Sequence, residues 1–190
     1  MLYATASQTV GPYLHIGLAD RYCDDLTGDA PGLRDSRIVI EGRVLDGQGA
    51  PVPDGMVEIW QANPNGRYRH PEDERTHLPL VDGFTGFGRV PTGPDGSFRF
   101  ITVKPGAVPD VHGVPQAPHI LVSVFMRGLL KHVATRMYFP DEAAANANDG
   151  VLRLVPPARR DTLVARRGDD GALRWDIVLQ GEGETVFFDI

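Results

Sequence analysis

The residues of this chain with the clearest potential for metal chemistry are its tyrosines and histidines. The chain has five tyrosines and six histidines. A phenolate is a hard, charged ligand that suits ferric iron, and imidazole can fill the remaining positions. Tyr68 and His119 are the candidates. Each also has a plainer interpretation, because Tyr68 resembles an exposed loop aromatic and a lone strand histidine is usually structural or solvated.

His119 begins a stretch, residues 119–126, whose residue types alternate as in a β-strand. Successive side chains of a strand point to opposite faces. The face predicted to join the core carries Ile120, Val122, Val124 and Met126. His119, Leu121 and Ser123 point the other way, toward whatever cavity the sheet lines. A second histidine at position 121 would place two imidazoles side by side as a ligand pair, but this chain has a leucine there.

Other common catalytic motifs are missing from the sequence. It has no glycine-rich phosphate loop ending in Lys-Ser/Thr and no His-Glu-x-x-His zinc motif. Neither Ser7 nor Ser123 stands in a nucleophile-elbow pattern. Cys23 is the single cysteine, which excludes an intrachain disulfide and a thiolate metal cluster.

Short alternating segments separated by turns predict an all-β fold. The 22 glycines and 16 prolines fit a chain with many turns, such as those at residues 46–49 and 93–96. Strands are predicted at residues 38–44, 56–60, 98–100, 119–126, 133–139, 175–179 and 184–190. We therefore expect an antiparallel β-sandwich. One helix is predicted at 141–147 and a second, short one near 157–162, while residues 1–35 are predicted to form an irregular segment.

Length and composition limit the classes of function. A chain of 190 residues and 20.7 kDa predicts a single domain spanning residues 1–190. Its formal net charge of -6 and pI near 5.4 argue against nucleic acid or an anionic membrane as the partner. The first residues lack the pattern of a secretion signal and no stretch approaches a membrane span, so a cytoplasmic protein is expected.

Motifs along most of the chain resemble the intradiol ring-cleaving dioxygenases. They occur in the family's order at residues 57–63, 66–70, 88–89, 102–106, 117–120 and 137–140. The segments 7–13 and 180–189 resemble the non-catalytic chain of a two-chain member of that family. The resemblance implies a β-sandwich core, a partner β chain in an αβ hetero-oligomer, and cleavage of a catechol ring by O2 at non-haem Fe(III).

The resemblance also identifies the positions of the family's iron ligands, which are two tyrosines and two histidines. Tyr68 and His119 retain the ligand type, whereas Val108 stands at the second tyrosine position and Leu121 at the second histidine position. Gln116 replaces an arginine that catalytic members carry just before the histidine pair. Aliphatic side chains cannot donate to a metal. We therefore expect the four ligand positions to be vestigial and this chain to hold no iron.

The function implied by the resemblance is a contribution to the partner's active site. The β chain would hold the Fe(III), and the complex would cleave 3,4-dihydroxybenzoate (protocatechuate) to 3-carboxy-cis,cis-muconate in the β-ketoadipate pathway of aromatic catabolism. This chain alone would be inactive, and its irregular segment 1–35 would dock on the partner chain. The pocket residues implied for it are Thr9, Gly11, Pro12, Tyr13 and Arg127. A fixed cation such as Arg127 would suit the substrate carboxylate and the developing anionic intermediates.

Two other interpretations of the sequence remain. The region from residue 42 to residue 98 also resembles transthyretin-like and pilin-type sandwich domains, which would make the chain a non-enzymatic binding or structural module. That class is not expected to carry the N-terminal segment, Tyr68 or His119. Alternatively, the chain is an autonomous dioxygenase with a rearranged metal shell. Iron analysis of the chain, alone and co-expressed with a β chain, separates the three.

Overall fold

The described part of the chain contains nine strands and three short helices, joined by turns of 3-10 helix. The computed structural model describes residues 3, 5–11 and 13–189, and all of their side chains except those of residues 15, 16 and 19. The strands are Arg37–Leu45 (β1), Met56–Trp60 (β2), Phe87–Pro91 (β3), Ser97–Val103 (β4), His119–Phe125 (β5), Val133–Tyr138 (β6), Arg166–Arg167 (β7), Leu173–Arg174 (β8) and Ile177–Val178 (β9). The helices are Tyr13–Leu18 (α1), Ala143–Asn148 (α2) and Gly150–Leu154 (α3). None of the described helices has the length and apolarity needed to cross a membrane.

The strands form two sheets. One has the order β4-β1-β8-β7, with β9 also paired to β1, and the other has the order β3-β2-β5-β6. Most neighbours are antiparallel, whereas β8 and β9 run parallel to β1. The mainly antiparallel sandwich predicted from the alternating pattern is confirmed. The parallel pairs were not predicted, because local alternation carries no information on strand direction.

The inner faces of the two sheets meet in one large apolar core. Its strand residues include Ile40, Val44, Val57, Ile59, Phe98, Phe100, Ile120, Val122 and Val124, all of them buried. Burying one such side chain contributes about 1.5–3 kcal/mol. The predicted core face of residues 119–126 is therefore correct. His119, Leu121 and Ser123 lie on the outer face of the second sheet, as the period of two requires.

Three predicted segments differ from the structure. Residues 1–35 are not wholly irregular, because they contain α1 and a 3-10 turn at Ala19–Arg21. The predicted helix near 157–162 is a 3-10 helix, Pro157–Leu163. Residues 184–190 form no strand among the described residues. The Thr135 hydroxyl donates to the Val186 carbonyl at 2.7 Å, so a side chain replaces part of the expected ladder.

A second, smaller core covers one end of the β3-β2-β5-β6 sheet. It packs α3 and the Pro157–Leu163 turn against the end of β6, and its buried members are Ala117, Tyr138, Leu152, Val155 and Leu163. Asp149 caps α3 by accepting from the backbone N–H groups of Val151 and Leu152 at 3.0 and 2.9 Å. This packing fixes the start of β5, where His119 lies.

Candidate functional site

Two loops meet at the positions of Tyr68 and Val108. Gly66 has a φ of +78°, and a Cβ at this residue would lie 2.2 Å from the Ala107 carbonyl oxygen. Only glycine permits that conformation and that approach of the two backbones. The Asn63 carbonyl oxygen accepts a hydrogen bond from a backbone N–H of each loop, at 2.9 and 3.0 Å. The close approach therefore brings two of the four ligand positions to one place.

Tyr68 is a half-buried residue of this place rather than an exposed loop aromatic. Its ring packs against the Trp60 ring at a centroid distance of 5.0 Å, and its backbone N–H donates to the Asp73 carboxylate at 2.8 Å. Burial raises the pKa of the phenol, so it is protonated at neutral pH. Among the described residues, none hydrogen-bonds to the Tyr68 hydroxyl, which leaves that group available to a ligand or to water.

His119 is buried, with 4% of its surface exposed. Burial, and after it the nearby Arg136, lower its pKa to about 4. The imidazole is therefore neutral at pH 7. Its Nδ1 lies 2.8 Å from the Ala117 carbonyl oxygen, so Nδ1 carries the proton and Nε2 keeps its lone pair. The ring is held as a metal-binding histidine would be.

Val108 and Leu121 complete a single cavity with Tyr68 and His119. This vestigial cavity has a volume of about 810 Å³, and its wall also includes Trp60, Gln116 and Arg136. The four positions that the family resemblance implies as ligands therefore all line one cavity. Ferric iron does not fit the residues present, because two of the four side chains have no donor atom. Among the described residues, no group of three or more His, Cys, Asp or Glu side chains lies close enough together to hold a metal.

A buried polar network supports the back of the cavity. Arg136 donates to the Gln116 side-chain oxygen at 2.7 Å and lies 3.5 Å from the Tyr138 hydroxyl. Tyr138 donates in turn to Asp149 at 3.1 Å. The second Asp149 oxygen accepts from the Ala117 N–H at 2.8 Å. Asp149 thereby links the start of α3, the approach to β5 and the end of β6.

Sequence reasoning missed Arg136 and Asp149 as site residues. The period of two in β6 gave a usable signal for Arg136, because it puts this arginine on the same face as Leu121, its cross-strand neighbour. The sequence has no comparable signal for Asp149. The family motif residue Gln61 proves to be scaffold, since it is buried and binds the Val103 carbonyl at 2.8 Å.

The residues predicted to face the partner lie elsewhere. The Gly128 backbone N–H donates to the Thr9 hydroxyl at 2.8 Å, which joins the N-terminal segment to the loop that carries Arg127. The Arg127 guanidinium pairs with Asp54 and remains 71% exposed. Tyr13 is 78% exposed. Gly11 is also exposed, whereas Pro12 lies outside the described residues.

Strand β5 separates these two groups. His119 begins the strand, and Arg127 follows its last residue, Phe125. A strand of seven residues spans about 20 Å. The vestigial ligand positions therefore meet at one end of β5, and Thr9 and Arg127 meet at the other.

Similarity to known proteins identifies the family. A family model described as a dioxygenase (Dioxygenase_C) matches residues 18–181. The chain belongs to the intradiol dioxygenase family. This membership confirms the resemblance seen in the motifs and favours the dioxygenase interpretations over a transthyretin-like module.

Within the family, the chain resembles both subunits of one enzyme. It is 46% identical to the protocatechuate 3,4-dioxygenase alpha chain of Pseudomonas putida, over 100% of this chain and 98% of that protein. It is 40% identical to the protocatechuate 3,4-dioxygenase beta chain of Burkholderia cepacia, over 78% of this chain and 66% of that protein. The similarity to the alpha chain is closer and extends over the full length.

Solved structures share the fold. The dioxygenase domain of a carbohydrate-binding fusion protein from Streptomyces sp. SirexAA-E superposes with a TM-score of 0.60 and 26% identity, over 84% of this chain and 88% of that one. The 3-chlorocatechol 1,2-dioxygenase of Rhodococcus opacus superposes with a TM-score of 0.58 at 17% identity, over 93% of this chain and 67% of that one. The second match establishes the fold alone.

Proposed function

We propose that this chain is the non-catalytic α chain of a protocatechuate 3,4-dioxygenase. In this proposal a β chain holds the Fe(III), and the cytoplasmic αβ hetero-oligomer cleaves 3,4-dihydroxybenzoate with O2 to 3-carboxy-cis,cis-muconate. The observation that carries the proposal is full-length similarity to the alpha chain together with Val108 and Leu121 at two ligand positions. Those two residues leave the chain without a complete iron site. In this proposal it therefore acts by forming part of the wall of the β chain's active site.

The surface proposed to wall the partner's pocket is formed by the N-terminal segment and the loop at Arg127. Its members are Thr9, Gly11, Pro12, Tyr13 and Arg127. Two features support this assignment. The hydrogen bond from Gly128 to Thr9 makes the two segments one surface, and the exposed Tyr13 ring and Arg127 guanidinium are accessible to a partner. A carboxylate bound there would gain a charge-assisted hydrogen bond from the arginine.

Iron analysis during co-expression tests the proposal. We expect the chain purified alone to be colourless, iron-free and inactive. Co-expression with a β chain should give a complex that contains iron and cleaves protocatechuate. A matched complex whose β chain lacks one iron ligand should assemble without iron. Stoichiometric iron and turnover in the isolated chain would instead support an autonomous dioxygenase, and failure to bind any β chain would refute the α-chain assignment.

A further inference from the structure

Arg136 is a half-buried cation that has no carboxylate within ion-pairing distance among the described residues. Its closest hydrogen bond goes to a neutral partner, the Gln116 amide oxygen at 2.7 Å. The nearest buried acid, Asp149, is reached only through the Tyr138 hydroxyl. Asp149 is already fully engaged, since it accepts from three backbone N–H groups as well as from Tyr138. A guanidinium has five donors, so most of those of Arg136 remain available.

The position of Arg136 is as informative as its lack of an acid partner. It lines the vestigial cavity and also a smaller neighbouring pocket of about 290 Å³. Trp60 and Leu121 are likewise shared by the two. The smaller pocket is mainly apolar, with the rings of Phe87 and Phe188 in its wall. The cation therefore stands where a polar cavity meets an apolar one.

We propose that the vestigial cavity binds a small aromatic carboxylate as a ligand that does not react. The carboxylate would accept from Arg136, and the ring would lie against Trp60 and Leu121. The free hydroxyl of Tyr68 and Nε2 of His119 lie in the same cavity and can hydrogen-bond a hydroxyl on the ring. A bidentate carboxylate on arginine is the pairing that this geometry favours. The cavity is built by this chain alone, so the inference stands apart from the proposed function, and where no β chain binds, the titration below is made on the purified chain.

Negative charges at the mouth of the cavity weaken the binding of an anion to a limited degree. Glu72 and Glu74 are exposed at its rim. Two further acids in the wall are engaged within the chain. Asp73 pairs with Arg75 at 2.6 Å, and Asp110 accepts from backbone N–H groups of its own turn. We therefore expect modest affinity, with a dissociation constant on the order of 0.1–1 mM that weakens as salt increases.

Calorimetric titration of benzoate into the purified αβ complex tests the inference. Benzoate has no catechol hydroxyls to chelate iron, and any β-chain site is the same in every α variant. The α-chain site should appear as one extra benzoate per αβ unit. Arg136→Gln should weaken that site at least ten-fold, while Arg153→Gln, which changes an exposed arginine on α3, should leave it unchanged. Benzamide, the uncharged analogue, should bind at least ten-fold more weakly than benzoate.

A second variant keeps the test decisive if Arg136→Gln folds poorly. Leu121 is the cross-strand partner of Arg136, so Leu121→Glu supplies the missing carboxylate inside the chain. Opposite charges at such positions stabilise a sheet. Leu121→Glu should abolish the extra benzoate site without lowering the melting temperature. The proposal is overturned if the wild-type complex shows no extra site, if benzamide binds as well as benzoate, or if Arg136→Gln or Leu121→Glu binds like wild type.

Discussion

The His119 imidazole keeps the orientation of a metal ligand, although Val108 and Leu121 in the same cavity have no donor atom. Its Nδ1–H still binds the Ala117 carbonyl at 2.8 Å, which is the orientation of a ligand. The Asp149 charge offsets its burial only in part, however, and Arg136 adds a like charge nearby. The ring is therefore held neutral well below the pH at which a free histidine protonates. Because the pKa of His119 is lower in the folded chain than in the unfolded chain, the stability of the fold depends on pH.

We predict that His119 makes the chain less stable in mild acid. Its pKa falls from 6.5 to about 4 on folding, so the unfolded state binds the proton more readily. The stabilisation is complete above pH 6.5 and is lost as the pH falls from 6.5 to 4. Linkage gives a loss of about 2 kcal/mol between pH 7 and pH 5. Urea unfolding at both pH values measures it.

The matched variants for this prediction are His119→Gln and His77→Gln. The first removes the titrating group, so its stability should change much less between pH 7 and pH 5. The second changes an exposed loop histidine and should lose as much stability as wild type. An unchanged pH dependence in His119→Gln would show that another group is responsible.

At the scale of elements, Asp149 holds three segments together. It caps α3, accepts from the Ala117 N–H before β5, and accepts from the Tyr138 hydroxyl at the end of β6. These contacts are buried, except for the partly buried bond from the Val151 N–H. One carboxylate thus connects three separate segments of the chain. The cavity wall that carries His119 depends on it.

We predict that Asp149→Ala destabilises the chain by about 3–5 kcal/mol. Loss of a cap typically costs about 0.5–2 kcal/mol, and leaving buried donors unpaired adds about 1–3 kcal/mol for each group. Asp149→Asn should cost less, because its amide oxygen still accepts from α3. Some cost remains, because its NH2 group would face the Ala117 N–H, and two donors cannot pair. Asp169→Ala, an exposed change, should stay within about 0.5 kcal/mol of wild type. Denaturant titration of the three variants measures their free energies of unfolding. Equal losses of stability in Asp149→Ala and Asp169→Ala would contradict the prediction.

At the scale of the whole molecule, β5 separates two kinds of surface. One end lines the vestigial cavity, and the other leads into the loop where Arg127 and Thr9 lie. The four vestigial positions and the proposed contact surface therefore lie at opposite ends of one strand. Under the proposed function, the second surface is the one that affects turnover.

We predict that Arg127→Ala lowers kcat/KM of the αβ complex for protocatechuate by roughly ten- to 150-fold. The reason is the loss of a charge-assisted hydrogen bond worth about 1.5–3 kcal/mol. Arg127→Lys should recover only part of the activity, because an ammonium lacks the planar fork of donors. Steady-state kinetics of the co-expressed complex measures the effect.

Controls for the Arg127 prediction separate a role in the pocket from a role in stability. The pair with Asp54 is largely exposed, so its loss should change stability by no more than about 1 kcal/mol. Iron content and assembly should be unchanged, since no metal ligand is altered. Arg153→Ala should leave the kinetics near wild type. Wild-type turnover in Arg127→Ala would identify Arg127 as a surface charge only.

The sequence by itself determined the features that depend on local chemistry. Alternation in β5 set which side of the strand enters the core, since the period of two follows from strand geometry. At the ligand positions that the family resemblance implies, the residue types at 108 and 121 predict an incomplete iron site, because a side chain without a donor atom cannot bind a metal in any fold. Motif order identified the family without knowledge of the contacts.

Tertiary structure decided the features that depend on residues far apart in the chain. The close approach of Gly66 to Ala107 brings positions 68 and 108 together, and only the folded chain shows that all four vestigial positions line one cavity. Alternation in β6 places Arg136 on the same face as Leu121, but its lack of an acid partner depends on everything packed around it. The predicted strand at 184–190 failed for the same reason. An alternating pattern reports which side chains are buried, but not how many backbone groups pair. Here the tail makes one isolated antiparallel bridge, from Phe188 to Ala134 on the edge strand β6, and the Thr135 hydroxyl binds the Val186 carbonyl.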